Sequence, residues 1–302
     1  MNKIRIGTRN SPLALWQAQE VESKLQNLGF QTEIVPIISS GDKNLDQPLY
    51  ALGITGVFTK DLDIALLNKE IDIAVHSLKD VPTQLPNNIQ ISAVLERDFS
   101  EDVLVRNNDA QPLDLNVLKI ATSSLRRRAF WLKEFPETKF TDIRGNVQTR
   151  LKKLDNGIAN ATIFSLAGIK RMNLDINYEQ IPFLLQAPSQ GVVAIASLSD
   201  NDKLNESLKT ISHKDTEICV TIEREFLKTL EGGCTAPIGA KAELVGNQIR
   251  FLGRLCSLDG KNCIETDEIF DWNDSENFGE KIALEVLKNG GKELMEEIRK
   301  SI

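Results

Sequence analysis

Lys119-Ile120-Ala121-Thr122-Ser123-Ser124-Leu125-Arg126-Arg127-Arg128 passes from an apolar strand, through three hydroxyl side chains, into a helix that opens with three arginines. Residues 119–121 read as the strand, and Ser123 or Ser124 supplies an N-cap for a helix reaching residue 135. Working outward, 140–143 reads as a strand, Asn146 caps a helix to residue 154, and 161–164 is a strand again. The N-terminal part alternates in the same way. Ile4 and Ile6 mark a strand that stops at Gly7, and Ser11-Pro12 gives an N-cap followed by a first-turn proline. Leu13, Trp16, Val21, Leu25 and Leu28 keep a helical stripe up to Gly29. A strand over 33–38, a helix over 58–68 with Leu62, Ala65 and Leu66 on one face, and a buried strand over 71–75 follow. Such alternation predicts α/β units with largely parallel sheets. The pattern breaks at 186–191, and 192–196 reads as one more strand. The last third is different: a helix near 218–230, a Gly-Gly break, three strand-like runs ending near 270, and a long acidic helix from about 275. That α+β order predicts a third domain from about residue 215.

Composition narrows the function. The chain has 302 residues, 41% apolar and 26% charged, as expected of a folded protein with two or three domains. Its net charge of −7 argues against a general nucleic-acid binder. No apolar run approaches the roughly 18–20 residues that span a bilayer, and the start lacks the apolar core of a signal peptide. A cytosolic enzyme or binding protein, with no membrane partner, is the expectation. The cysteines, Cys219, Cys234, Cys256 and Cys263, contain no CxxC pair, and the histidines, His76 and His213, lie far apart. Neither a disulfide framework nor a metal site is expected.

The charge is unevenly placed. Ten basic residues stand against three acidic ones between Lys119 and Lys153, so a +7 segment sits in a chain whose remainder sums to −14. Three strand–helix junctions carry cations where helix N-termini already attract anions. They are Gly7-Thr8-Arg9-Asn10-Ser11, the Thr122–Arg128 stretch, and Arg144-Gly145-Asn146 with Arg150 one turn on. Arginine opposes the dipole at a helix start, so the placement predicts an anion that neutralises it, held through guanidinium forks. His76-Ser77-Leu78-Lys79-Asp80-Val81-Pro82 follows a buried strand, and its Asp80 suits a general acid/base or an electrostatic stabiliser of a cation. Glu231-Gly232-Gly233-Cys234-Thr235 puts a thiol in a glycine-rich loop, whereas Cys256 reads as core.

Taken in order, Thr8-Arg9-Asn10-Ser11-Pro12-Leu13-Ala14-Leu15-Trp16-Gln17-Ala18, His76 to Pro82, Thr122 to Arg127, Arg144-Gly145-Asn146-Val147-Gln148-Thr149-Arg150-Leu151 and Glu231 to Cys234 resemble the porphobilinogen deaminase (hydroxymethylbilane synthase) family of tetrapyrrole biosynthesis. The likeness runs from about residue 4 to 239, and the last sixty residues match only in pattern. It implies two α/β domains like the lobes of periplasmic binding proteins, around a cleft, with a smaller α+β C-terminal domain. The implied boundaries are 1–98 with 194–213, 99–193, and 214–302. It implies a transferase that joins four porphobilinogen molecules head to tail with loss of ammonia, then releases hydroxymethylbilane by hydrolysis. The implied primer is a dipyrromethane cofactor on a thioether to Cys234. The resemblance makes Asp80 the catalytic carboxylate and gives Ser124, Arg126, Arg127, Lys79 and Asp80 to the cofactor. Arg9, Ser11, Phe58, Ser77, Arg144, Arg150 and Arg171 go to substrate carboxylates and rings. A cytoplasmic monomer without nucleic-acid partners is implied as well.

Two alternatives stay in view. A non-catalytic cytosolic two-lobed anion-binding protein would use the same arginines without needing Cys234 or Asp80. A nucleic-acid binder built on residues 126–150 would show steep salt dependence, and the acidic remainder disfavours it. The chain also departs from the family pattern. Gly53-Ile54-Thr55-Gly56 precedes Phe58, where relatives such as the enterobacterial enzymes carry lysine in place of Thr55 and of Ala51, which bears on loop closure over the substrate. Pro188-Ser189-Gln190-Gly191-Val192 replaces a Val-Gly-Gln-Gly-Ala segment, which bears on how the return strand packs. Thr55→Lys is expected to tighten the hold on an elongation intermediate; unchanged dissociation and elongation rates would count against that.

Overall fold

The first strand, β1 (Ile4–Arg9), runs two residues beyond the Gly7 stop read from the sequence. Parallel pairing explains the extension, since Gly7, Thr8 and Arg9 lie opposite Val35, Pro36 and Ile37 of the next strand. Gly7 is instead a point of close approach: a Cβ there would lie 2.2 Å from Cδ1 of Ile71. The structure, a computed structural model, describes residues 3–38, 59–107, 114–230 and 236–301. After β1 come α1 (Pro12–Asn27), β2 (Thr32–Ile37), α2 (Lys60–Leu67), β3 (Ile73–Ser77) and β4 (Ile89–Val94). Then follow β5 (Asp102–Arg106), β6 (Lys119–Ala121), α3 (Leu125–Glu134), β7 (Lys139–Thr141) and α4 (Val147–Asp155). β8 (Ala161–Ser165), α5 (Leu166–Arg171), β9 (Glu179–Gln180), β10 (Val193–Leu198), α6 (Asp202–Lys209) and α7 (Lys214–Thr229) lead to the last part. There β11 (Ile238–Val245), β12 (Gln248–Cys256) and β13 (Cys263–Asp271) precede α8 (Phe278–Val286) and α9 (Lys292–Ser301).

Two compact units result. One joins Gly191–Glu217 to the described parts of Met1–Asn44 and Ile54–Asp98; the other contains Phe99–Gln190 and the described parts of Ile218–Ile302. The first unit is a five-stranded sheet ordered β2-β1-β3-β10-β4, with β10 antiparallel to both neighbours. Helix α1 starts where the sequence places it: Ser11 Oγ accepts from Ala14 N at 3.4 Å, and Pro12 fills the first turn. Its buried face, Ala14, Gln17, Ala18, Val21 and Leu25, covers one side of the sheet with Ile6, Ile73, Val75 and Ile195. Leu62, Ala65 and Leu66 of α2 pack on the other side with Ile71 and Ile89. Arg5 and Asp72 clamp β1 to the start of β3 through two side-chain bonds of 2.9 and 3.0 Å and the Arg5 main-chain N–H.

The second unit repeats the arrangement. Its five-stranded sheet is ordered β7-β6-β8-β5-β9, with β6 parallel to β7 and β8 and with β5 antiparallel to β8. The C-terminal domain in this unit is an antiparallel sheet, β11-β12-β13. Its core joins Phe226, Phe251, Ile249, Ile282 and Met295. Cys256 packs with Phe130 and Trp131, so the domain shares a core with the α/β part beside it. The chain thus has two α/β domains and a smaller C-terminal domain.

Three features depart from the sequence reading. Cys256 and Cys263 form a disulfide, although no framework was expected; the hairpin register sets them opposite each other, a relation their seven-residue spacing conceals. The long acidic helix is two helices, α8 and α9. Asn289 and Gly290 leave helical geometry between them, Gly290 at φ 98°. The break at 186–191 contains Ser189 at φ 65°, where the family pattern has glycine. Its N–H donates to the fully buried Glu223 carboxylate at 2.6 Å, and that carboxylate also receives Ala242 N at 2.7 Å. The Ser189 hydroxyl, by contrast, is buried without a partner. Left-handed backbone costs a non-glycine residue about 1 kcal/mol, and a buried unpaired hydroxyl adds to that. Ser189→Gly keeps the N–H and is expected to raise stability by about 1 kcal/mol in urea unfolding, despite the entropy glycine adds to the unfolded chain; a fall in the midpoint would refute this account of the turn.

Candidate active site

β1 and β3 are adjacent and parallel, with Ile6 opposite Ile73 and Gly7 opposite Ala74, so the ends of β1 at Arg9 and of β3 at Ser77 lie at the same edge of the sheet. Leu78–Asp80 forms one 3-10 turn there. Leu78 is buried, and its N–H bonds the Val192 carbonyl at 2.9 Å, which fixes the turn to the segment entering β10. Asp80 is half-buried, and its carboxylate has no hydrogen-bond or ion-pair partner among the described residues. Ser77 Oγ accepts from Nε2 of the buried Gln17 at 2.8 Å, tying α1 to this edge. Ser11 accepts one bond as cap and keeps its hydroxyl proton to donate. Lys79 is half-buried beside Asp80. His76, one residue before Ser77, is buried; desolvation pushes its pKa down to about 4, and the charge of Arg9 acts in the same direction.

In the second unit the loops after β6 and β7 meet. Ser123 Oγ donates to the Ile143 carbonyl at 3.1 Å and accepts from Ile143 N at 3.0 Å. Ser124 caps α3, accepting from Arg127 N at 3.4 Å. Arg126 and Arg127, both buried, turn inward onto one carboxylate: each places Nη2 2.7 Å from a different oxygen of Asp102. Their Nη1 groups reach main-chain carbonyls, Leu185 O at 2.5 Å and Ile163 O at 2.8 Å. Gln190 Nε2 completes the cluster, donating to Asp102 Oδ1 at 3.0 Å and Ser100 O at 2.7 Å. Arg127 Nε is buried without a partner. Burial lowers the pKa of Arg126; Asp102 opposes that and Arg127 reinforces it. Arg128 turns away to Asp142 at 2.7 Å. Arg144 is buried, and desolvation lowers its pKa. Arg150 Nε donates to the Gly145 carbonyl at 2.9 Å, and Asn146 caps α4 by accepting from Thr149 N at 2.8 Å. Arg171 is the last residue of α5, where the helix dipole favours a cation.

Of the junction arginines, Arg126 and Arg127 share one partner, and one expectation is corrected. The sequence reading looked outside the chain for the neutralising anion, whereas Asp102 supplies one charge from inside it. Among the described residues, one carboxylate against two guanidinium groups gives the buried cluster a formal +1. Asp102, Gln190 and Gln17 escaped sequence reading. Each left a trace: an acid heading the apolar run Val103-Leu104-Val105, an amide inside the pattern break, and an amide on the apolar face of α1. Cys234, Phe58, Ala51, Gly53, Thr55 and Gly56 lie outside the described residues. No described helix is long and apolar enough to cross a membrane.

The described residues thus set a carboxylate without a described partner at one parallel-strand edge and a buried cationic cluster at another, within an α/β framework. Family models agree: residues 4–206 match "Porphobilinogen deaminase, dipyromethane cofactor binding domain", and residues 217–288 match the C-terminal domain of the same enzyme. The chain is 48% identical over 242 residues to a probable porphobilinogen deaminase of Methanocaldococcus jannaschii, covering 79% of this chain and 82% of that protein. It is 40% identical over 309 residues to the porphobilinogen deaminase of Cytophaga hutchinsonii, covering 100% and 99%. Among solved structures, an arginine-transport periplasmic binding protein from Legionella pneumophila aligns over 70% of this chain and 92% of its own, at 15% identity and a TM-score of 0.42. The chain belongs to the porphobilinogen deaminase family. It is a transferase of porphyrin biosynthesis that condenses porphobilinogen stepwise with a dipyrromethane cofactor.

The buried His76 has a measurable consequence. Its folded pKa, about 4, lies below the unfolded value near 6.5. As pH falls the unfolded chain takes up the proton first, so stability is lost between about 6.5 and 4 and levels off below that window. By pH 5 the loss is on the order of 2 kcal/mol. His76→Gln is expected to flatten this acid slope in urea unfolding at pH 7 and pH 5; equal slopes in the two proteins would contradict it.

Proposed function

We propose that this chain carries its dipyrromethane on a thioether to Cys234 and that Asp80 is the catalytic carboxylate of the condensation. The observation that carries the reading is the position of Asp80, fixed by a buried turn and unpartnered among the described residues, at the sheet edge that also bears Arg9 and Ser11. A negative charge held there, unpaired among the described residues, stabilises the cation left when ammonia departs from porphobilinogen, and it accepts pyrrole N–H groups. Arg9, Ser11, Ser77, Arg144, Arg150, Arg171 and the ring of Phe58 hold the acetate, propionate and pyrrole parts of the substrate.

The donor set suits the cofactor. The buried +1 cluster of Arg126, Arg127 and Asp102, with Arg127 Nε unpartnered, calls for a further carboxylate, and dipyrromethane bears acetates and propionates. Arg126, Arg127, Ser124 and Lys79 would hold those groups, with Asp80 at the pyrrole N–H. The cofactor supplies the primer to which four porphobilinogen units are added before hydrolytic release of hydroxymethylbilane. The three-domain division at 1–98 with 194–213, 99–193 and 214–302 belongs to this reading, as does a cytoplasmic monomer without nucleic-acid partners.

Intact mass spectrometry tests the attachment. The purified chain is expected to exceed its encoded mass by two linked pyrrole units, and Cys234→Ser to lose that excess. An excess that survives Cys234→Ser would move the attachment elsewhere. Asp80→Ala is expected to keep the fold and lose at least a hundredfold in turnover, in the range of general acid–base and electrostatic contributions of roughly 10²–10⁴; near-normal turnover would remove Asp80 from the chemistry.

A further inference from the structure

Asp102 heads β5, opposite Ser165 of β8, and is 2% exposed. The reaction gives it no proton to move and no charge to stabilise, yet it occupies the centre of the arginine cluster. Each guanidinium gives one N–H to Asp102 and one to a main-chain carbonyl, and neither has another partner among the described residues. Their remaining N–H groups, Arg127 Nε among them, stay available in a buried setting where an unmet donor is costly.

We propose that Asp102 is a positioning residue for the dipyrromethane: by giving one oxygen to each arginine it fixes both guanidinium forks, and its single charge holds the cluster at +1, which one ligand carboxylate neutralises. Only a carboxylate fills this role. Asparagine would offer an oxygen to one arginine and an amide N–H to the other, setting donor against donor. With no acid there, the cluster would be +2 before any ligand arrived, and the two cations would repel each other out of register. Gln190 is the second part of the device. Its bonds to Asp102 Oδ1 and Ser100 O stop the carboxylate from rotating, so both forks are held in one orientation. The assignment rests on the reading of Arg126 and Arg127 as cofactor holders.

A purely structural ion cluster would lose stability when disturbed and nothing else, so the test reads loading as well as folding. Full-length Asp102→Asn is compared with the native sequence by the fraction of chains carrying the dipyrromethane mass, by melting temperature, and by KM and kcat for porphobilinogen per loaded chain. The loaded fraction is expected to fall at least fivefold and KM to rise at least tenfold, with kcat falling by less than KM rises. A folded Asp102→Asn with loading and KM within twofold of the native values overturns the proposal. If Asp102→Asn does not fold, Gln190→Leu, which leaves both ion pairs in place, decides: KM should rise at least threefold, and an unchanged KM overturns the proposal. A native chain lacking the extra mass would first sink the reading of the site, and this assignment with it.

Discussion

A charge taken out of water needs a counter-charge or several hydrogen bonds; left alone it costs several kcal/mol. That constraint recurs throughout the molecule, and each answer draws on residues distant in sequence. Asp102 answers Arg126 and Arg127 across the second sheet. Glu223 takes two main-chain N–H groups, joining the turn at Ser189 to β11. His76 meets the same constraint differently, by giving up its proton. Removing one member of such a set leaves a buried orphan, so these groups hold the segments in register beyond what apolar contact demands.

Much of the architecture was legible in the chain. Strand–helix alternation and the caps at Ser11, Ser124 and Asn146 are local signals, and the structure carries each of them. What stayed hidden depends on partners remote in sequence. β1 outlasts Gly7 because β2 pairs with it. Cys256 meets Cys263 only through a hairpin register. The acidic run past residue 275 has the composition of one helix, but Asn289 and Gly290 interrupt it. For the site, the cations were visible as residue types at helix starts, whereas their direction was not. Arg126 and Arg127 turn inward because Asp102 is there, and no spacing rule links positions 24 and 25 residues apart on different elements.

The two five-stranded sheets share one pattern, three parallel strands followed by one antiparallel to both its neighbours, and carry opposite chemistry. In the first, the edge beyond β1 and β3 presents a carboxylate unpartnered among the described residues; in the second, the edge beyond β6 and β7 presents guanidinium groups around the buried Asp102. The shared framework supplies helix N-termini at both edges. The few residues that follow each strand decide which charge the edge displays.

The placement of β10 also sets a timetable for synthesis. It lies between β3 and β4, yet Val193 follows Val94 by almost a hundred residues that belong to the other unit. A nascent chain therefore holds β1, β2, β3 and β4 long before it holds the strand that joins them. At roughly 5–20 residues per second the interval is roughly 5–20 s. During that time the facing edges of β3 and β4 have unpaired backbone and exposed Ile73, Val75 and Ala93. The second α/β domain must emerge from the ribosome while the first is still an open sheet, so this is the stage at which a chaperone has most to protect.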